Sequence, residues 1–183
     1  SQTVTMASAF SATSGAFSNF IMYQGTLVTA NNNITVSNVF AIDTAGTTAT
    51  LGTSTITAET IDLDWTGDGG GGVDASNATF VINVTGGYFW AGNSEVVGTL
   101  TAQVTTTING ENSGGYSITN LNLTANKTYT FNATTTFTLT NFNPVGTAGN
   151  LVTMQSDSAG TAFTLSKASG VVNGNYVSLK DST

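Results

Sequence analysis

The sequence has no cysteine, no histidine and no arginine, and its only proline is Pro144. Each absence closes a class of chemistry. Without His or Cys there is no Cys/His zinc site, no histidine-based triad and no thiolate nucleophile. Without Arg there is no bidentate clamp for phosphate or carboxylate. Without Cys there is no disulfide staple, and the redox compartment is left open. Basic charge is nearly absent as well: Lys127, Lys167 and Lys180 stand against ten acids, for a net charge of −7. Such a chain does not neutralise a nucleic-acid backbone. Long apolar runs are missing too, the longest being pieces such as FIMY at 20–23. These fall far short of the ~18–20 residues of a helical membrane span.

What is present is small and polar. Threonine (36 residues), glycine (21), asparagine (19) and serine (17) make up half of the 183 residues. Disorder is the first reading to weigh, and composition argues against it. Disordered chains couple low hydrophobicity to high charge, whereas only 7% of this chain is charged and 39% is hydrophobic. Thr, Val, Ile, Phe and Tyr suit strands. Helix formers are scarce, and Gly or Thr interrupts every window. The expectation is an all-β chain.

Apolar and polar residues alternate as in half-buried strands. In IDLDW at 61–65, Ile61, Leu63 and Trp65 share one face, and Asp62 and Asp64 the other. FVINV at 80–84 and TFTLTNF at 136–142 repeat the pattern. Strand openings recur at Phe20, Phe40, Ile61, Phe80, Leu100, Leu121, Phe142 and Phe163, in steps of 19 to 21 residues. A second series, Val28, Leu51, Phe89, Ile108, Phe131, Leu151 and Val171, runs about half a period away and misses one beat at GDGGGGVD, 67–74. Each coil of such a repeat is too thin to bury its apolar face alone, and stacked coils bury it jointly. The reading is a parallel β-solenoid with ~20-residue coils, about eight of them, stacked ~4.8 Å apart, with the first series as one buried ladder. The alternative is a β-sandwich or jelly roll, whose strands every 8–12 residues give similar peaks. Asn173-Gly174 is the one good hairpin dipeptide it would use. The chain reads as a single β domain, 1–183, with 1–16 as a candidate extended arm and 17–183 as repeating coils. Its first residue is Ser1, which fits either a trimmed initiator Met or a cleaved signal peptide.

Residues 114–182 carry a resemblance. GTAGNLVTMQS at 146–156, AGTAFTLSKASG at 159–170 and NYVSLKDS at 175–182 resemble a recurrent segment of large Thr/Asn/Gly-rich β-solenoid surface proteins of bacteria and phages. The resemblance implies a parallel β-helix-like fold, an extracellular or virion-surface location and a structural or adhesive role. It implies no catalytic residue. In that group the segment usually continues past KDS with a Gly-rich, aromatic-bearing stretch.

One cluster could carry chemistry. ETIDLDWTGDGGGGVD at 59–74 holds Glu59, Asp62, Asp64, Asp68 and Asp74, half of all the acids. Hard oxygen ligands beside a flexible glycine run suit calcium, the one cofactor these residues suggest, although the spacing is not that of an EF-hand. The competing reading is a set of solubilising acids on a strand face and loop. Asp62 and Asp64 are also the only route to an enzyme, since glycoside hydrolysis needs just two carboxylates at suitable separation. Yet an open threonine-rich surface offers nothing to raise a catalytic pKa, so the chain reads as no enzyme. Tyr88, Phe89 and Trp90 in GYFWAGN form a candidate glycan-stacking platform or subunit contact, against a reading as core plus corner. Thr-x-Thr pairs at 53–57 and 134–140 raise ice binding, but a fixed period pairs them with Val73–Ala75 and Thr153–Gln155, which breaks the array. Six N-x-[ST] sequons, at Asn33, Asn77, Asn83, Asn122, Asn126 and Asn132, are about as many as composition alone gives.

A solenoid has two open ends whose strand edges invite pairing. Neither end of this sequence shows a helical cap, and low charge leaves little to keep copies apart. The expected function is therefore a non-enzymatic extracellular or virion structural protein that assembles with copies of itself into a fibre, filament or particle surface. The alternatives are a carbohydrate-binding or adhesion module with a calcium loop, its partners surface glycans, and a glycan-cleaving enzyme on the Asp62/Asp64 pair.

Overall fold

A computed structural model describes all residues except 1, 15–17, 43–45, 64–71, 93–94 and 111–114. The described residues form nineteen strands and no helix. Every strand pairs in parallel with the equivalent strand one turn away, which gives a β-solenoid of about seven turns with about 22 residues per turn. That pairing overturns the sandwich and jelly-roll alternative, because those architectures are built from antiparallel neighbours. Asn173-Gly174 makes no hairpin. About seven rungs at ~4.8 Å give a ladder of ~35 Å.

The first three turns have three short strands each. One face stacks β1 (Thr3–Thr5), β4 (Gly25–Val28) and β7 (Thr47–Thr50). A second stacks β2 (Phe10–Ala12), β5 (Ile34–Val36) and β8 (Thr55–Ala58). The third stacks β3 (Phe20–Met22), β6 (Val39–Ile42) and β9 (Thr60–Asp62). Residues 3–12, expected to lie within an arm, thus supply the first two strands of the opening turn.

The ten-residue β10 (Val73–Ile82) then pairs with both β7 and β8 and fuses the first two faces. From there the fused face continues through β12 (Val96–Ala102), β14 (Ser117–Leu123), β16 (Thr136–Phe142) and β18 (Thr164–Ser166). The third face continues through β11 (Gly87–Ala91), β13 (Thr106–Gly110), β15 (Lys127–Phe131), β17 (Val152–Ser156) and β19 (Val177–Lys180). At the fusion β10 carries a bulge: Ala75 faces Val97 and Thr79 faces Thr99, so four steps on one strand match two on the other. Gly98 lies under this bulge. A Cβ there would stand 2.5 Å from the Ala78 carbonyl oxygen and 2.8 Å from that of Ser76, so only glycine lets the two coils close.

Inward side chains form two ladders rather than one. Phe20, Phe40, Ile61, Phe89, Ile108 and Phe131 align on the third face. Phe10, Ile34, Ile56, Phe80, Leu100, Leu121 and Phe142 align opposite. The single ladder expected from the sequence crosses between them after Ile61, whose partner is Phe89, not Phe80. Phe163 joins neither register and instead stacks face to face on Phe131, with ring centres 4.7 Å apart. Stacked rings and aliphatics of this kind are the unit of sheet stabilisation.

Candidate functional site

The acidic segment does not assemble among the described residues. Glu59 sits at the corner between β8 and β9, half-buried. Asp62 ends β9, buried in register between Ala41 and Trp90. Asp74 lies on the fused face beside Thr50, exposed, where its carboxylate accepts a 2.8 Å hydrogen bond from the Ser76 hydroxyl. Asp64 and Asp68 fall outside the described residues. Among the described residues, no three acids converge on a point that would hold a metal ion.

The Tyr88–Trp90 segment is β11, so its residues alternate between inside and outside. Phe89 points into the core, fully buried, edge-on to Phe80 at 5.5 Å. It cannot serve as an exposed platform. Tyr88 and Trp90 point outward, half-buried, with ring centres 5.7 Å apart. The Asn109 amide donates a hydrogen bond to the Tyr88 hydroxyl. Partial burial, with a smaller push from the Asp62 charge, raises the Tyr88 pKa to about 12, against a lowering from the Asn109 bond. The phenol is therefore neutral at physiological pH. The patch combines two rings, an amide and an acid.

The Thr-x-Thr array differs from its expectation. Thr55 aligns with Thr79 and Thr99, not with Val73–Ala75. The neighbouring row runs Thr57, Val81, Thr101 and Asn122. Side chains bond along the stack: Asn120 donates to Thr99 (3.1 Å), Asn122 to Thr101 (3.2 Å) and Asn141 to Asn120 (2.9 Å). The amides and hydroxyls of this face satisfy one another, and the row passes through Val to Asn rather than staying threonine.

The two mouths of the solenoid are the third candidate. Among the described residues, nine of the eleven exposed large apolar side chains lie near them. Val4, Phe10 and Tyr23 belong to the opening turn. Val145, Leu151, Val171, Val172, Tyr176 and Leu179 belong to the closing ones. Val4 and Phe10 stack on buried Leu27 and Ile34, so they point toward the core, and no coil lies above them among the described residues. Leu179 likewise stacks on buried Met154 and is 58% exposed. Here lies a groove of about 650 Å³, walled by Leu139, Phe142 and Leu165 on one side and Met154, Val177 and Leu179 on the other. Among the described residues, only the first three of β16 carry a strand above them, so Phe142 lines the groove without a covering rung. The sequence reading placed Leu151 and Val171 in the second apolar series. Both are exposed, Val171 at 74%. The signal that could have found this region is the charge-free stretch Val171–Leu179, with Val171, Val172, Tyr176, Val177 and Leu179.

The fold defines the class, a parallel β-solenoid. Compared with protein families, curated proteins and solved structures, the chain finds no match in any of the three.

Proposed function

We propose that this chain is a non-enzymatic structural protein that acts outside the cell or on a virus particle, where it joins copies of itself into a larger assembly. The observation that carries this reading is the continuous parallel stack of about seven turns, tied on its outer face from turn to turn by Asn and Thr side chains, the kind of quasi-one-dimensional scaffold in which each repeat rests on its neighbours. The absence of His, Arg and Cys fits a building material better than a reaction centre. Size-exclusion chromatography with light scattering and negative-stain microscopy test it. Higher-order species that grow with concentration are expected. A chain that stays monomeric at millimolar concentration would sink the reading.

A second reading rests on the outward Tyr88–Trp90 pair beside Asn109 and Asp62. Two rings flanked by an amide and an acid suit stacking on a sugar, as in a glycan-binding or adhesion module. Screening against immobilised glycans tests it: any binding should disappear in Trp90→Ala, which leaves the core ladders untouched.

A further inference from the structure

The geometry points to an ice-binding surface on the outer side of the fused face, built from two rows of uncharged side chains in register from coil to coil. Such a surface needs neither a second copy nor either mouth of the solenoid.

Register comes first. Thr55, Thr79 and Thr99 align on three successive coils, and Thr57, Val81 and Thr101 align beside them. Both rows run on into the next coil, at Asn120 and Asn122. The bulge of β10 closes before Thr79, so the pairing passes through all of these positions without a shift. Two residues along a strand span ~6.6 Å, and neighbouring strands stand ~4.8 Å apart. The outward groups therefore occupy a two-dimensional grid whose two repeats are close to those of water oxygens on the prism planes of hexagonal ice.

Rigidity comes second. Thr and Val are β-branched and stiff about χ1. The amides are tied to their neighbours: Asn120 donates to the Thr99 hydroxyl, Asn122 to the Thr101 hydroxyl and Asn141 to the Asn120 side-chain oxygen. The six central side chains are half-buried between one another, so methyls and hydroxyls reach out as one surface. Val81 sets a methyl where threonine has its hydroxyl and keeps the outline of the row. Groups held in one arrangement lose little freedom when a lattice settles on them, and a site made of many weak contacts depends on that saving.

Charge comes third. Neither row holds an Asp, Glu or Lys. An ionised side chain orients water around itself and disturbs a neutral lattice, whereas an uncharged grid of hydroxyls, amides and methyls matches one. The third face lacks this regularity, because Asp62, Tyr88, Trp90 and Lys180 interrupt its outward rows.

Nanolitre osmometry of the purified chain tests the surface. A gap between the freezing and melting points is expected, with faceted ice crystals inside it. An amine-reactive dye couples at Lys127, Lys167 or Lys180, none of which stands in either row. The labelled chain should be taken up by a growing single ice crystal on discrete planes. Thr99→Tyr lifts a ring out of the grid and should lose most of the gap while keeping the native circular dichroism and melting temperature. Thr101→Tyr makes the same test in the second row, should the first variant lose its fold. Thr130→Tyr, on the outer side of β15, should keep the gap. A native chain that gives no gap, no shaping and no dye in the ice would overturn the ice-binding surface and leave the structural reading standing. A gap that folded Thr99→Tyr or Thr101→Tyr leaves intact, or that Thr130→Tyr removes equally, would overturn its assignment to the fused face.

Discussion

At the scale of single residues, this fold tolerates very little at the points where coils touch through their backbones. Gly98 lies beneath the β10 bulge, and a Cβ there would press on the Ala78 and Ser76 carbonyls. Isolated glycine inside a strand is the sequence mark of a bulge or a close approach, and here it marks both. Gly98→Ala is expected to destabilise the chain by about 1–3 kcal/mol in denaturant titration. Gly46→Ala, whose new methyl would find its nearest neighbour at 3.5 Å, should fall within about 0.5 kcal/mol of the parent. Tyrosines set a second limit. Burial pushes the Tyr116 and Tyr129 hydroxyls up from the usual phenol range, and Tyr88 to about 12. The Tyr129 hydroxyl donates to the Ala102 carbonyl at 2.9 Å and accepts from the Thr124 amide at 2.7 Å. A raised folded pKa means the unfolded chain loses its proton first. The stabilisation is complete below the ordinary phenol pKa of about 10 and is lost as pH rises through the folded values. Melting temperatures should therefore stay level, as far as these phenols are concerned, from pH 7 to 9 and fall above pH 10, together with the rise of tyrosinate absorbance.

The element scale is where the sequence was most readable, and also where it misled. Period-two alternation in 61–63, 80–82 and 136–139 marks strands and their inner faces correctly, because side-chain direction is a local property of extended chain, whereas past Leu139 the phase breaks and Phe142 turns inward three residues on. The recurrence near twenty residues marks a solenoid, because stacked coils bury similar residues at similar phase. The count of residues between rungs, however, is not conserved by any force. Hydrogen bonds fix which residues pair, and corners absorb the difference. The step is 20 residues from Phe20 to Phe40, 28 from Ile61 to Phe89 and 19 from Phe89 to Ile108. The long step spans the glycine-rich segment and β10, the stretch where the second apolar series skips a beat. A fixed period carried across it exchanges the two ladders and misaligns Thr55. The candidate site was less legible still. Tyr88 and Trp90 are outward by alternation alone, but a groove is a property of stacking, and only assembled coils reveal that Leu179 lines one. The ladders themselves make a sharp test. Phe131 meets Phe137 edge-on at 5.1 Å and stacks on Phe163 at 4.7 Å. Phe131→Ala should cost about 3–5 kcal/mol by thermal or chemical denaturation. Thr130→Val, one residue away on the outer side of β15, should cost less than about 0.5 kcal/mol.

For the whole molecule, charge sets how copies approach one another. Residues 43–142 carry the entire net charge of −7, and of their acids Asp74 is exposed and Glu59 half-buried on the outside of the solenoid. Exposed charges interact over a Debye length of about 30 Å at 0.01 M salt and only about 3 Å at 1 M. Side-by-side contact between copies is therefore opposed at low salt and released as salt is added. Raising the salt toward 1 M should bring lateral association, seen in light scattering as a rise in mass and in negative stain as thicker objects. Replacing Glu59 and Asp74 with Gln and Asn should bring that association to lower salt. Association that high salt abolishes would mean that charge pairing, and not screened repulsion, governs contact between the copies.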